Sequence, residues 1–428
     1  MASHITSNET SLRVPGPNYK WQVVAMLWFI AFFNYADRQA IFSVFPLLEK
    51  EMGLDSVQLG LLGSSFAWVY GLGALFAGTV VDRVPRKTAI LAGLQAWSII
   101  CMATASARSF GQLVFFRAAE GLGETFYFPA SMSLVSDYHD KNTRSRAMGM
   151  HQTSVYVGTI GGGFFAGWIG QHYGWRWSFI VFGGLGIVLG LVLSRVLIEP
   201  KRGQAEGLKA QPPMPISAFL GMAWRTRTVR VLVLAFVCSN FVATVLLAWM
   251  PKFLYDRFHL SLAQAGLAAT VFVQLASLAG AALGGVLADR MRARTPTGRI
   301  IIQATGVLGG APFVWWCGQT QTVTTLILAL TGWGLFKGLY DANIFASVFD
   351  VVPPEARGAA AGLMNTLGWL AGGGSAPLVI GWIARSTGLG GAISLAAGVY
   401  VMAGLLLIAA ILFFARADIE ALQKRAVD

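Results

Sequence analysis

The chain has 428 residues, of which 55% are apolar and only 12% charged, where a soluble domain carries about a quarter charged residues. That balance excludes a soluble globular protein, and the lack of strand-length alternating segments argues against a membrane barrel. The net charge of +12 does not mark a nucleic-acid binder, because Lys and Arg cluster in alternate connections, the positive-inside pattern of membrane proteins.

Long charge-free stretches recur along the chain, each long enough for the roughly 20 apolar residues of a spanning helix. Twelve spans are predicted, at 20–43, 57–81, 88–107, 110–134, 146–170, 176–197, 229–252, 263–288, 300–319, 323–349, 357–383 and 388–415. The polar start, "MASHITSNETSLRVPGPNYK", lacks the plan of a signal peptide, so the first span is expected to do the targeting. The heavy basic clusters are Arg83/Arg86/Lys87, Lys141/Arg144/Arg146, the run from Arg195 to Arg230, and Arg290/Arg292/Arg294/Arg299. They predict both termini and the long middle loop in the cytoplasm of a cell whose inner (plasma) membrane holds the chain. Cys101, Cys238 and Cys317 lie far apart in apolar runs, with neither disulfide nor zinc spacing.

These elements group into a cytoplasmic N-terminal tail (1–19), a six-helix bundle (20–198), a cytoplasmic linker (199–228), a second six-helix bundle (229–415) and a C-terminal tail (416–428). The linker holds Pro212, Pro213 and Pro215 among charged residues, a composition suited to a connection rather than a packed domain. The two bundles repeat each other. "GTVVDRVPRK" after span two returns as "GVLADRMRAR" after span eight, 207 residues on. Gly121, Leu122, Asp137, Arg144 and Gly149 recur as Gly334, Leu335, Asp350, Arg357 and Gly362, all at an offset of 213. "GWI" at 167–169 returns at 381–383, one residue out of step. A six-helix unit used twice in parallel orientation is a transporter plan, with the site near the midplane.

On these residues the chain resembles the major facilitator superfamily. The resemblance covers nearly the whole chain, although Pro85 stands where the family's loop usually has Gly. Within the superfamily, "NYADRQA" in span one, "SSFAWVY" in span two and "RAAEGLGETFYFPA" in span four resemble the anion:cation symporters. The fold this implies is an all-α integral membrane protein of twelve helices in two pseudo-symmetric bundles.

In both Asp-Arg loops the carboxylate falls at a helix C-terminal end, where the macrodipole disfavours it unless it is paired. Asp82, Arg83, Arg86, Asp289 and Arg290 therefore read as a cytoplasmic gate that latches helix ends in one state; the plainer alternative is charges that only orient the chain.

Away from the span ends, seven charged residues fall within predicted spans: Asp37, Arg38, Arg117, Glu120, Glu124, Lys337 and Asp341. At about 2.5–3.5 kcal/mol each on insertion scales, unpaired they would cost roughly 20 kcal/mol, more than the whole stability of about 5–15 kcal/mol of an ordinary domain. They must be paired, neutralised or hydrated in a shared cavity. Arg117, Glu120 and Glu124 share one helical face, as do Lys337 and Asp341. Lys337 stands at the repeat position of Glu124. Asp37 and Arg38, being adjacent, point about 100° apart. Arg117 with Glu120, and Lys337 with Asp341, can each be read as purely structural ion pairs.

The resemblance implies that Arg38 contacts a substrate anion, that Asp37 and Glu124 carry protons, and that Arg117 helps hold or release the span-four carboxylate. It also implies substrate-binding roles for Tyr35, Tyr70 and Asn365; Gln152 is the repeat counterpart of Asn365. Asn240, Gln274 and Asn343 are weaker candidates, since membrane amides often only join helices. His151 reads as a packing residue. Sugar-acid carriers often show Gln where this chain has Val155. With all seven groups ionised the set sums to −1; protonating Asp37 and Glu124 makes it +1 and welcomes a carboxylate.

The function expected is proton-coupled symport of a small organic anion, such as a carboxylate or sugar acid, by alternating access. The alternative is a spinster-type carrier of lysolipid or lipid. No HExxH, GxSxG, Walker A or His-rich cluster supports an enzyme, and "VGTIGGG" lacks the Gly-Pro pair of drug antiporters. The partners expected are the anion, protons and the bilayer, for a chain acting as a monomer, with no nucleic acid, metal or cofactor.

Overall fold

A computed structural model describes residues 16, 18–140, 142–200 and 216–425. Among these residues the secondary structure is helical throughout, with no strand. In lipid no water is available for a free backbone N–H or C=O, so each segment must close its own hydrogen bonds. The first half contains α1 (Tyr19–Ser43), α2 (Phe45–Met52), α3 (Ser56–Arg83), α4 (Arg86–Thr104), α5 (Phe110–Glu124), α6 (Tyr127–Tyr138), α7 (Arg144–Tyr173) and α8 (Trp175–Val196). After α9 (Ile216–Arg225), the second half contains α10 (Arg227–Phe258), α11 (Leu262–Arg292), α12 (Gly298–Gln319), α13 (Val323–Asp341), α14 (Ile344–Phe349), α15 (Arg357–Leu367) and α16 (Ala376–Phe413), followed by α17 (Ala415–Arg425).

Eight stretches are long and apolar enough to cross a membrane on length and composition alone. One of them, Pro354–Phe413, turns at Gly388 (φ 70°) and crosses twice. The more polar α1, the α5–α6 pair and α7 bring the crossings to twelve.

Local chemistry sets where the helices start, and it repeats between halves. Asp55 and Gln58 form a capping box that opens α3, and Ser261 with Gln264 does the same for α11. Ser109 accepts from the Gln112 N–H at the start of α5, and Thr322 from Thr325 N–H at the start of α13, again 213 residues on. Span four is not the continuous helix expected over 110–134. It breaks between α5 and α6, because Pro129 has no N–H to offer the Thr125 carbonyl. Part of the expected linker is α9, which buries Phe219 and Ala223 against α10; residues 201–215 lie outside the described residues.

The halves meet through small residues. A Cβ on Gly266 would lie 2.0 Å from the Gly163 carbonyl oxygen, and one on Gly60 would lie 2.4 Å from that of Pro377. Hydrogen bonds run along the same seam, from Ser56 Oγ to the Gly381 carbonyl (2.8 Å) and from the Leu262 N–H to Gln171 Oε1 (3.1 Å). Two ion pairs tie its rim: Lys252 with Glu49, and Arg385 with Asp55 at 2.5 Å. The Gln58 backbone N–H, and then Arg385, hold the Asp55 carboxyl below its ordinary range despite slight burial. All these contacts lie at the end of the molecule where α1 finishes and α3 begins.

Candidate functional site

In the last two turns of α1 the chain places Asp37 and Arg38, and α5 brings Arg117, Glu120 and Glu124 against them; all five are buried. The two adjacent α1 residues diverge as their spacing requires. Arg38 turns to Glu124, with Nε to Oε2 at 2.5 Å. Asp37 turns to Glu120 and Cys101, whose ligand atoms lie within 4.8 Å of its own and of each other. Arg117 pairs with Glu120, three residues along the same helix. The carboxylate held directly by Arg117 is thus Glu120, while Glu124 is held by Arg38.

This leaves two ion pairs and one odd carboxylate. Neither oxygen of Asp37 accepts a well-formed hydrogen bond from the described residues, although the residue is only 1% exposed. A buried carboxylate without a partner is strongly disfavoured in its charged form. Arg38 Nη1 is likewise buried without an acceptor. The Asp37, Cys101 and Glu120 donors could gather around a cation, yet Arg117 already neutralises Glu120 there.

Aromatic rings enclose the Arg38 guanidinium, whose carbon lies 4.5 Å from the Tyr70 ring centroid, 4.8 Å from Tyr35, 5.1 Å from Phe66 and 5.5 Å from Trp369. Such contacts stabilise a desolvated cation by up to about 2 kcal/mol. Phe66 also covers Arg117, at 4.8 Å. Three of these rings belong to the first half; Trp369 comes from the second. Phe66 and Trp369 escape a sequence reading, because an aromatic residue in an apolar span looks the same whether it meets lipid or a guanidinium.

In the second half Lys337 and Asp341 form an ion pair on α13, partly exposed. Tyr156 of α7 lies within electrostatic reach of both, and also of Tyr35. Gln152 stands one turn before Tyr156, exposed on the same face, and Asn365 stands one turn before Trp369, half-buried. The remaining polar candidates join helices. Asn240 Nδ2 donates to the Gly368 carbonyl (2.7 Å), and Asn343 Nδ2 to those of Leu339 and Gly284 (3.1 and 3.3 Å). His151 Nε2 meets the Tyr127 hydroxyl at 2.9 Å, in a packed apolar cluster. Gln274 is buried on α11.

At the opposite end from the seam, Arg86 is buried and pairs with Asp137 and Glu199, the latter at 2.9 Å. Its repeat counterpart Arg299 pairs with Asp350 at 2.8 Å, as does Arg292. Asp82, Arg83, Asp289 and Arg290 are exposed, with Asp289 3.7 Å from Arg299. The carboxylates that hold this end, Asp137 and Asp350, were visible in the sequence only as repeat markers at the 213 offset.

Two like helical halves around a midplane set of buried charges define a membrane transporter rather than an enzyme. The family model of the Major Facilitator Superfamily matches residues 27–368 and 253–427, and the chain belongs to that superfamily. A protein of Bacillus subtilis described as a probable galactarate/D-glucarate transporter is 27% identical over 398 residues, covering 86% of each chain. Human protein spinster homolog 1 is 28% identical over 404 residues, 89% of this chain and 76% of its own. A solved bacterial homolog of the human lysosomal transporter Spinster, inward-facing and unoccupied, superposes with a TM-score of 0.76 at 22% identity, over 95% of this chain and 97% of that one.

Proposed function

We propose that the chain is a proton-coupled symporter of a small organic anion, a carboxylate or sugar acid, working by alternating access. The observation that carries this reading is Arg38: a buried guanidinium between two halves, held at Nε by Glu124 and with Nη1 unengaged. An anion seated on that edge completes its hydrogen bonding, and Tyr35 and Tyr70 flank it. Lys337 and Asp341 face the same region from the second half, with Gln152 and Asn365 as neutral donors. Asp37 takes a proton because it has no cation of its own. Glu124 takes one when an anion displaces it from Arg38, and Arg117 stays with Glu120. The Arg86–Asp137 and Arg299–Asp350 clusters, with the Asp82 and Asp289 loops, hold the helix ends of each half at the gate end, while the seam joins the halves at the other. The relatives named as galactarate/glucarate and hexuronate transporters support the anion class. The alternation of basic connections supports an inner-membrane setting with both termini in the cytoplasm.

Relatives named spinster support a second reading, a carrier of lysolipid. A thermal-stability screen of the purified chain against D-glucarate, D-glucuronate, short monocarboxylates and a lysophospholipid separates the two. The expected result is stabilisation by a carboxylate that is lost in Arg38→Ala. Stabilisation by lysophospholipid alone would favour the second reading. Carboxylate stabilisation that persists in Arg38→Ala would remove Arg38 as the anchor.

A further inference from the structure

The two halves keep step at an offset of 213 through Gly149 and Gly362, but "GWI" returns at 214. One extra residue therefore lies in span eleven between Gly362 and Gly381. The structure shows where it is absorbed: Gly368–Gly373 is a π-helical turn, and the Gly374 N–H donates to the Trp369 carbonyl, five residues back, at 2.6 Å. Span five, its counterpart, is regular α-helix throughout α7.

Before the extra residue the offset of 213 still holds, and it pairs Tyr156 with Trp369. Tyr156 of the first half lies within electrostatic range of the Lys337–Asp341 pair of the second. Trp369 extends from the second half onto Arg38 of the first and packs edge-on against Tyr70, ring centroids 5.3 Å apart.

Helical phase explains why the extra residue needs a π-turn. From Tyr156 to Gly167 is 11 residues, and at 3.6 residues per turn the two differ by only about 20°. Gly167 packs on the Leu262 carbonyl across the seam, so one face of α7 serves both site and seam. From Trp369 to Gly381 is 12 residues, which on an unbroken α-helix separates them by about 120°. Yet Gly381 packs on the Ser56 carbonyl across the seam while Trp369 covers Arg38, both in the first half. The π-turn takes up the odd residue and returns both to one face. Turns of this kind occur mostly as single interruptions of α-helices, often at functional sites.

We propose that Trp369, the repeat counterpart of Tyr156, is a positioning residue that carries an aromatic side chain from the second half to the charge centre of the first, and that the π-turn is the inserted residue that holds Trp369 on Arg38 without disturbing the seam. The action of Trp369 on a bound anion rests on the anion-transport reading above; the register of the helix does not.

Two measurements test this. With Cys101, Cys238 and Cys317 replaced by Ser, a short bismaleimide should join Trp369→Cys to Tyr70→Cys, and Asp55→Cys to Arg385→Cys. Deleting Ala371 should cut the first product at least about tenfold and leave the second in place. Retention of both would overturn the register claim. In the full-length chain, Trp369→Ala should weaken binding of D-glucarate at least about tenfold, as loss of a desolvated cation–π contact does. Trp369→Phe should restore it to within about threefold, a rescue that a generic packing defect would not show. Unchanged binding by Trp369→Ala would overturn the positioning role. If the wild-type chain stabilises with none of the anions, the transport reading falls, and the cross-links still decide the register.

Discussion

Asp37, Glu120 and Glu124 are three buried carboxylates within one helical layer, and they differ in what neutralises them. Glu120 has Arg117 and Glu124 has Arg38, whereas Asp37 pairs with no cation among the described residues. Removing one member of a buried ion pair leaves an uncompensated charge, at a typical cost of about 3–5 kcal/mol. Glu120→Gln is therefore expected to lower the thermal unfolding temperature in detergent clearly while gradient-driven accumulation persists. Asp37→Asn exchanges a carboxyl without a counter-ion for a neutral isostere. It should leave the unfolding temperature within a degree or two and abolish accumulation. The sequence already showed the burial problem and the shared face of Arg117, Glu120 and Glu124. It also offered Arg117 and Glu120 as a pair, which the structure shows, but not Arg38 as the partner of Glu124, because that choice depends on how α1 and α5 rotate against each other. Trp369 was not legible there, since its repeat relation to Tyr156 is visible only once the structure places the shift in register.

At the scale of elements, start signals were legible and interruptions were not. The capping residues Asp55, Ser109, Ser261 and Thr322 sit where the apolar runs begin, and Ser109 and Thr322 stand at the 213 offset. The break between α5 and α6 follows from Pro129, a visible residue whose effect on the carbonyl of Thr125 a hydropathy profile smooths over. The break after α13 has no proline. There the Asn343 side chain bonds the Leu339 carbonyl, offering the backbone a local alternative to the helix. The seam glycines needed the structure, since fifty glycines in the chain give no hint of which ones meet another backbone. Gly266→Val places a branched side chain where a Cβ alone would reach 2.0 Å from Gly163 O. Overpacking of that kind costs about 1–3 kcal/mol or more. Its expected effect is to pry α7 from α11, so that a Cys introduced at Thr270, buried in the wild type, gains reactivity toward a water-soluble maleimide. Unchanged protection of that Cys would show that the seam gives way elsewhere.

Across the whole molecule, the same pair is used twice. Arg86–Asp137 and Arg299–Asp350 are related by the 213 offset, and each ties helices within its own half. Their surroundings differ. Arg86 is fully buried and serves two carboxylates, whereas Asp350 is held by Arg292 as well as Arg299. Arg86→Ala should therefore destabilise the chain by about 3–5 kcal/mol in chemical unfolding, and Arg299→Ala by clearly less. Equal losses would mean that the second cation at Asp350 contributes nothing. The twelve crossings and the duplication were readable from hydropathy and spacing, because lipid leaves helices as nearly the only choice. The proposed alternating access needs two packings, and a sequence lists contacts for neither.

The proposed proton role of Asp37 and Glu124 is best tested by uptake into proteoliposomes of whichever anion stabilises the wild-type chain, under an imposed pH gradient with the outside acidic. The wild type is expected to accumulate the anion above its equilibrium level and to lose that excess on addition of a protonophore. Asp37→Asn combined with Glu124→Gln is expected to let the anion equilibrate without accumulating. Gradient-driven accumulation of wild-type size in that double variant would contradict proton coupling through these two residues.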